Sequence, residues 1–209
     1  MKREIITFFL ISVLGMSAAA QRARDVLDAT AARMTASGGV CAQFKATQFQ
    51  GTTPESETTG TLLISGQQFQ MQTPEMTTWF DGKTQWAMLK GAGEVNVSEP
   101  TEEERAAMNP STLINIYKKG YSLKLRKTSL RGLPTYTVHL VAKNKKAAFS
   151  EIYVDVEQAT SNPLCLRAKK DGNWMRLAIQ SFKANQSLPA STFTFPSQDY
   201  PDIEVIDLR

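Results

Sequence analysis

From Val40 onward the chain alternates apolar and polar residues with a period of two. Val40, Ala42, Phe44 and Ala46 fall on one side of Cys41, Gln43 and Lys45, the pattern of a half-buried strand. The polar stretch GTTPESE, 51–57, predicts a loop, after which Thr58, Gly60, Leu62 and Ile64 continue the alternation. In QQFQMQTP, Gln68, Gln70 and Gln72 oppose Phe69 and Met71. The next stretch, MTTWFDGKTQWAMLKGAGEVNV, predicts strands on either side of Asp81-Gly82, a dipeptide that tolerates positive φ in a hairpin turn. Trp86 and Met88 then share a face, and Val95 and Val97 begin another short strand. Strands resume over 121–127, 134–142, 149–157, 163–170 and 173–184, most of them separated by turn signals at Arg131-Gly132, Ser161-Asn162 and Asp171-Gly172.

Two helical stretches interrupt this meander. Over 21–35, Val26, Leu27, Thr30, Ala31 and Met34 recur at helical spacing, and Gly38-Gly39 closes the segment. Midway, Thr101-Glu102-Glu103-Glu104 has the form of a capping box, Asn109-Pro110 breaks the helix it opens, and 111–119 begins a further one carrying Leu113, Ile114, Ile116 and Tyr117. Three carboxylates in a first helical turn serve the helix dipole, and no histidine accompanies them as a metal partner.

About ten to eleven strands in mostly consecutive order, with helices only at the start and middle, predict an α+β fold built on one large antiparallel sheet. Twist accumulates across so many strands, and the sheet curls into a half barrel. A helical insert covers the concave face only in part and leaves an apolar hollow. The candidate lining is Phe44, Leu62, Ile64, Phe69, Met71, Phe80, Trp86 and Met88, with Leu113, Ile114 and Ile116 on the underside of a lid. Methionine and flat aromatic side chains suit a ligand of no fixed shape, although for any one of them plain core packing explains the residue as well.

The first twenty residues follow another logic. Lys2 and Arg3 form a basic head, 5–14 is nearly all apolar, and Ser17-Ala18-Ala19-Ala20 supplies small residues, which together predict a secretory signal cut before Gln21. Residues 21–209 then form a single exported domain, soluble in the periplasm, and with no cysteine at the cut site it carries no lipid anchor there. Cys41 and Cys165 would meet an oxidising compartment, and alternation puts both on the more polar side of their strands, so a bridge and two free thiols both stay open. The net charge of +4 at pH 7 is mild, and no Lys/Arg cluster alternates with aromatics, so nucleic-acid binding has no support.

Catalytic material is scarce. His139 is the single histidine and shares the polar side of its strand with Thr135 and Thr137. No nucleophile elbow, zinc-protease motif, phosphate loop or C-x-x-C occurs. Glu151 and Asp155 flank Tyr153 on one strand face, as an outer surface would have them. The expectation is a protein without catalytic residues, metal or cofactor.

The helix after the leader, VCAQFKATQF, GTLLISGQQFQMQTP, DGKTQW, the short helices before a long returning meander, and the tail FTFPSQDYPDIEVIDLR together resemble the outer-membrane lipoprotein carrier (LolA) family over essentially the whole mature chain. The resemblance implies an unclosed β-barrel with helices as a lid over an apolar cavity. It also implies acylated lipoproteins as cargo, received by a monomeric carrier from an inner-membrane ABC exporter and passed to an outer-membrane receptor. Enterobacterial carriers place an Arg-Pro before the aromatic of the third strand as a lid latch; here that stretch reads Ser65-Gly66-Gln67-Gln68-Phe69, without the latch. Two other roles remain open on the sequence: an envelope sensor that binds lipid or misfolded protein, and a carrier of another lipid.

Overall fold

The computed structural model describes residues 20–35, 38–101, 104 and 116–209. Residues 1–19 of the leader, and the lid residues Leu113 and Ile114, lie outside the described residues. Residues 20–34 form helix α1. The strands are β1 (Val40–Gln50), β2 (Thr53–Ser65), β3 (Gln68–Gln72), β4 (Met76–Phe80), β5 (Gln85–Leu89), β6 (Glu94–Ser98), β7 (Tyr121–Leu130), β8 (Leu133–Ala142), β9 (Glu151–Glu157), β10 (Pro163–Lys170), β11 (Asn173–Ala184) and β12 (Glu204–Asp207).

All twelve belong to one sheet, in the order β12-β6-β5-β4-β3-β2-β1-β11-β10-β9-β8-β7. Two meanders, β1 to β6 and β7 to β11, are joined where β1 pairs with β11, and β7 and β12 stand at opposite ends of the order, so the sheet is unclosed. The pairings are antiparallel except β12 with β6, which is parallel.

Period two sets which residues enter the core. On the face turned to α1, Val40, Ala42 and Phe44 oppose Ile64, Leu62 and Gly60, and Leu62 and Ile64 in turn oppose Met71 and Phe69. With Met34 of α1 and Phe80 they form one buried cluster, while Ala23 and Leu27 pack on Val138, Leu140, Ile152 and Ala168 to form a second. A third, of Trp79, Met88 and Val95 with Trp86, Phe195 and Ile203, lies on the opposite face. Both faces of β4 are therefore buried, the outer one beneath the segment that follows β11.

The hairpin at Asp81-Gly82 forms as expected, with Gly82 at φ +104° and the Asp81 carboxylate accepting from the Lys83 and Thr84 amides at 2.8 Å each. The capping box is also present. The Thr101 N–H donates to Glu104 Oε2 at 2.8 Å and the Glu104 N–H donates to Thr101 Oγ1 at 3.3 Å; the Thr101 N–H, and after it the Thr101 hydroxyl, which donates to Glu104 Oε2 at 2.9 Å, hold the Glu104 carboxyl below its usual range.

Two features depart from the sequence reading. Most of GTTPESE is strand: β2 begins at Thr53, with Gly51 at φ +62° in the turn, and Pro54 sits beside a register shift where its missing N–H breaks no ladder. This end of β2 is exposed on both faces, which removes the hydrophobic alternation by which strands are recognised. The tail contributes β12, whose partner is set by tertiary contact with β6 rather than by a local turn.

Candidate functional site

The site begins with α1. Leu27, Thr30 and Met34 lie three and four residues apart, on one stripe of the helix that faces the sheet. Thr30 is buried, and its hydroxyl donates to the Val26 carbonyl at 3.0 Å, so it brings no unmet polar group. Across from this stripe stand Ala42 of β1, Leu62 of β2, Leu140 of β8, and Ile152 and Val154 of β9. Pro163, Cys165 and Leu166 of β10 and Leu177, Ile179 and Phe182 of β11 continue the wall, and Ile116 and Tyr117 close it from a 3₁₀ turn, Ile116–Lys118. The space between them is a cavity of about 110 Å³.

Tyr117 fixes that turn to the helix. Its side chain is buried in the cluster with Ala23 and Leu27, and its hydroxyl donates to Asp28 Oδ1. Burial, and then the Asp28 carboxylate that accepts the proton, push the phenol well above its usual range. The Cys165 thiol is likewise raised, chiefly by burial and secondarily by Asp155. A wall of this composition holds alkyl groups by non-directional contact and imposes no single pose.

Of the residues expected to line a hollow, Leu62 and Ile116 border this cavity. Phe44, Ile64, Phe69 and Phe80, with Met71 against them, pack as a cluster beside it that shares Met34, Ala42, Leu62, Leu177, Ile179 and Phe182 with the cavity wall. Trp86 and Met88 are on the other face: Trp79 pairs with Trp86 and Thr77 with Met88, while Phe80, one residue along, turns to the helix side. The wall supplied by β8 to β11 was not singled out in the sequence, although Leu177 and Ile179 show the same alternation as Phe69 and Met71.

Polar chemistry lies outside the cavity. His139 stacks on Tyr153 with ring centroids 4.2 Å apart and meets Glu151 Oε1 through Nε2 at 2.7 Å. Asp155 is buried, accepting from the Thr137 hydroxyl at 2.6 Å and from Arg167 Nη2 at 3.3 Å. The expected outer surface is thus a packed hydrogen-bonded layer rather than loose solvated side chains. Among the described residues no group of three or more His, Cys, Asp or Glu is arranged to hold a metal. Cys41 and Cys165 are free: β11 lies between their strands, and Cys41 faces Lys183 while Cys165 faces Ala178 further along.

The fold recurs in solved structures. An uncharacterised conserved protein from Thermus thermophilus superimposes with a TM-score of 0.60 at 15% identity, over 89% of this chain and 99% of that one. LprF from Mycobacterium bovis superimposes with a TM-score of 0.51 at 10% identity, over 82% and 97%. A LolA superfamily protein from Nitrosomonas europaea gives 0.43 at 11% identity, over 83% and 97%. No curated protein matches the sequence. The family model described as outer membrane lipoprotein carrier protein LolA matches residues 14–172, well over half of the chain. With a helix laid over an unclosed antiparallel sheet and an apolar cavity between them, the chain belongs to the LolA family of outer-membrane lipoprotein carriers.

Proposed function

We propose that the protein is a soluble periplasmic carrier, exported by a cleaved leader, that shields the acyl chains of lipoproteins between the inner and outer membranes. The observation that carries this reading is the apolar cavity between α1 and the sheet in a chain of this family. Its partners would be an inner-membrane ABC exporter that loads it and an outer-membrane receptor that unloads it. The family is generally non-enzymatic, and catalysis has no part in the proposed role.

Energetics give the role its purpose. Burial of acyl chain is worth about 0.8 kcal/mol per CH₂, so a lipoprotein bearing two or three chains does not leave a membrane unaided on a useful timescale. A cavity that returns most of that free energy permits the crossing, provided the next acceptor binds more tightly.

The test is release. Residues 21–209 are incubated with energised spheroplasts of the host containing radiolabelled lipoprotein, and the supernatant is fractionated. Labelled lipoprotein co-eluting with the carrier in an ATP-dependent way is the expected result. Absence of release by a protein that still binds an apolar fluorescent probe would overturn the lipoprotein role and point to another lipid or to sensing.

A further inference from the structure

The wall of the cavity has a break. The ladder between β10 and β11 ends at the pair Cys165 and Ala178, although β10 extends back to Pro163 and β11 forward to Ala184. Two bulges and a proline separate the strands beyond that point. Against β9, Pro163 pairs with Val156 and Cys165 with Asp155, which leaves Leu164 as an extra residue. Against β1, Ser181 pairs with Gln43 and Ile179 with Phe44, which leaves Gln180 extra. Bulges bend the strands that carry them, and Pro163 has no N–H to offer across the gap.

One side chain spans the opening. Arg131 Nη2 donates to the Leu164 carbonyl at 3.0 Å and to the Ile179 carbonyl at 2.8 Å, satisfying an oxygen on each bent strand. Arg131 reaches there from the β7–β8 turn, where it sits at φ +53° followed by Gly132 at φ +78°. Such a turn favours Asn or Gly at both positions, so the turn itself does not select arginine. Its guanidinium does.

The wall at this place is one residue thick. Pro163, Ile179 and Phe182 border the cavity on the inside, and the same three border a recess on the outside that also includes Arg131, Glu157 and Asn162. The recess has a volume of about 240 Å³. Glu157, the acidic group there, accepts from the Thr160 hydroxyl, and Asn162 accepts from Arg33 Nε of α1 at 3.2 Å. Arg131 is itself exposed and its guanidinium donates to neutral carbonyls, so its charge is available to an anion.

We propose that the gap between β10 and β11 is a side mouth of the cavity and a binding site for an anionic single-chain amphiphile. The tail passes Pro163, Ile179 and Phe182 into the cavity, and Arg131 exchanges its two carbonyls for the carboxylate or phosphate head. This rests on the reading that the cavity takes acyl chains. A bidentate oxyanion suits the guanidinium fork better than two separate carbonyls do, so ligand binding and opening of the gap favour one another.

Cys165, at the last closed rung, is a native reporter of the gap. In a Cys41→Ser background it is the single thiol, and Arg131→Gly removes the guanidinium while placing at φ +53° the residue that this conformation favours. The expected results are at least a tenfold faster reaction of Cys165 with a maleimide at unchanged melting temperature, and loss of the preference for cis-parinaric acid over its methyl ester. Palmitate and hexadecyl phosphate, used as competitors, distinguish a carboxylate from a phosphate head, and Arg131→Lys keeps the preference for the acid while still quickening the maleimide reaction. Labelling of Cys165 unchanged in Arg131→Gly, or an acid preference that survives it, would overturn the proposal. If neither parinaric probe bound while labelling still accelerated, the acyl-chain reading and the ligand assigned to Arg131 would fall, and the opening of the gap would stand as measured.

Discussion

Gly60 is a tight point in the structure, and alanine there should be costly. A Cβ at position 60 would lie 2.5 Å from the Gln72 carbonyl oxygen, 2.5 Å from Phe44 Cζ and 2.9 Å from Phe44 Cε1. Gln72 belongs to the β2–β3 ladder and cannot yield without moving β3, and the Phe44 ring is 5% exposed and enclosed by Met34, Ile64, Phe69 and Phe80. Overpacking of this kind costs about 1–3 kcal/mol, against which a Gly→Ala change recovers roughly 0.4–1 kcal/mol through the unfolded chain. The net expectation is a loss of about 1–2 kcal/mol, which for a chain of this size lowers the melting temperature by roughly 2–8 °C. Urea unfolding should show a lower midpoint at constant slope. In a Phe44→Leu background the penalty should shrink, because one of the two clashes is relieved, while the clash with Gln72 persists. Gly60→Ala at or above parental stability would refute the reasoning, since it would mean that β3 and the ring move freely.

Two further outcomes are expected. Tyr117→Phe removes the donor to Asp28 and should cost about 1 kcal/mol, with faster escape of a cavity-bound probe because the 3₁₀ turn loses its tie to α1; thermal melts and stopped-flow release check it. With Ellman's reagent, half-buried Cys41 should react fast and buried Cys165 slowly, and equal rates would contradict the burial that raises the Cys165 thiol. Because that thiol is raised above 9.0, its contribution to stability is full below about pH 9 and declines as pH rises, so Cys165→Ala should flatten the alkaline limb of stability against pH.

The strands from β7 to β11 were legible because each alternates between a core face and a polar face and most end at turn residues such as Asp171-Gly172. The start of β2 was not, because it extends beyond the core and is held by backbone pairing and by the Lys45 to Glu57 ion pair, neither of which leaves an apolar period. Alternation showed that Trp86 and Met88 share a side. It could not show that this side faces away from α1, since that depends on the register across Asp81–Thr84 and on a tail that buries the outer face as well. The same limit applies to Leu177 and Ile179, whose pattern is that of any core strand until β11 is placed beside β1. Arg131 was visible only as a turn residue, because its partners are carbonyls freed by bulges on strands distant in sequence.

The join between β1 and β11 has a consequence for how the molecule comes into being. Val40, near the beginning, must find Ala184, near the end, before the two meanders form one sheet. Each meander can assemble from neighbouring hairpins as it is made, but the central rung waits for almost the whole chain. Contacts of such long separation slow folding, and until they close, β1 presents an unpaired edge that can recruit foreign strands. A chain delivered from one end would spend its most vulnerable interval with that edge open, and pulse-labelled hydrogen exchange during refolding should find the β1 amides that face β11 protected last, after those that face β2.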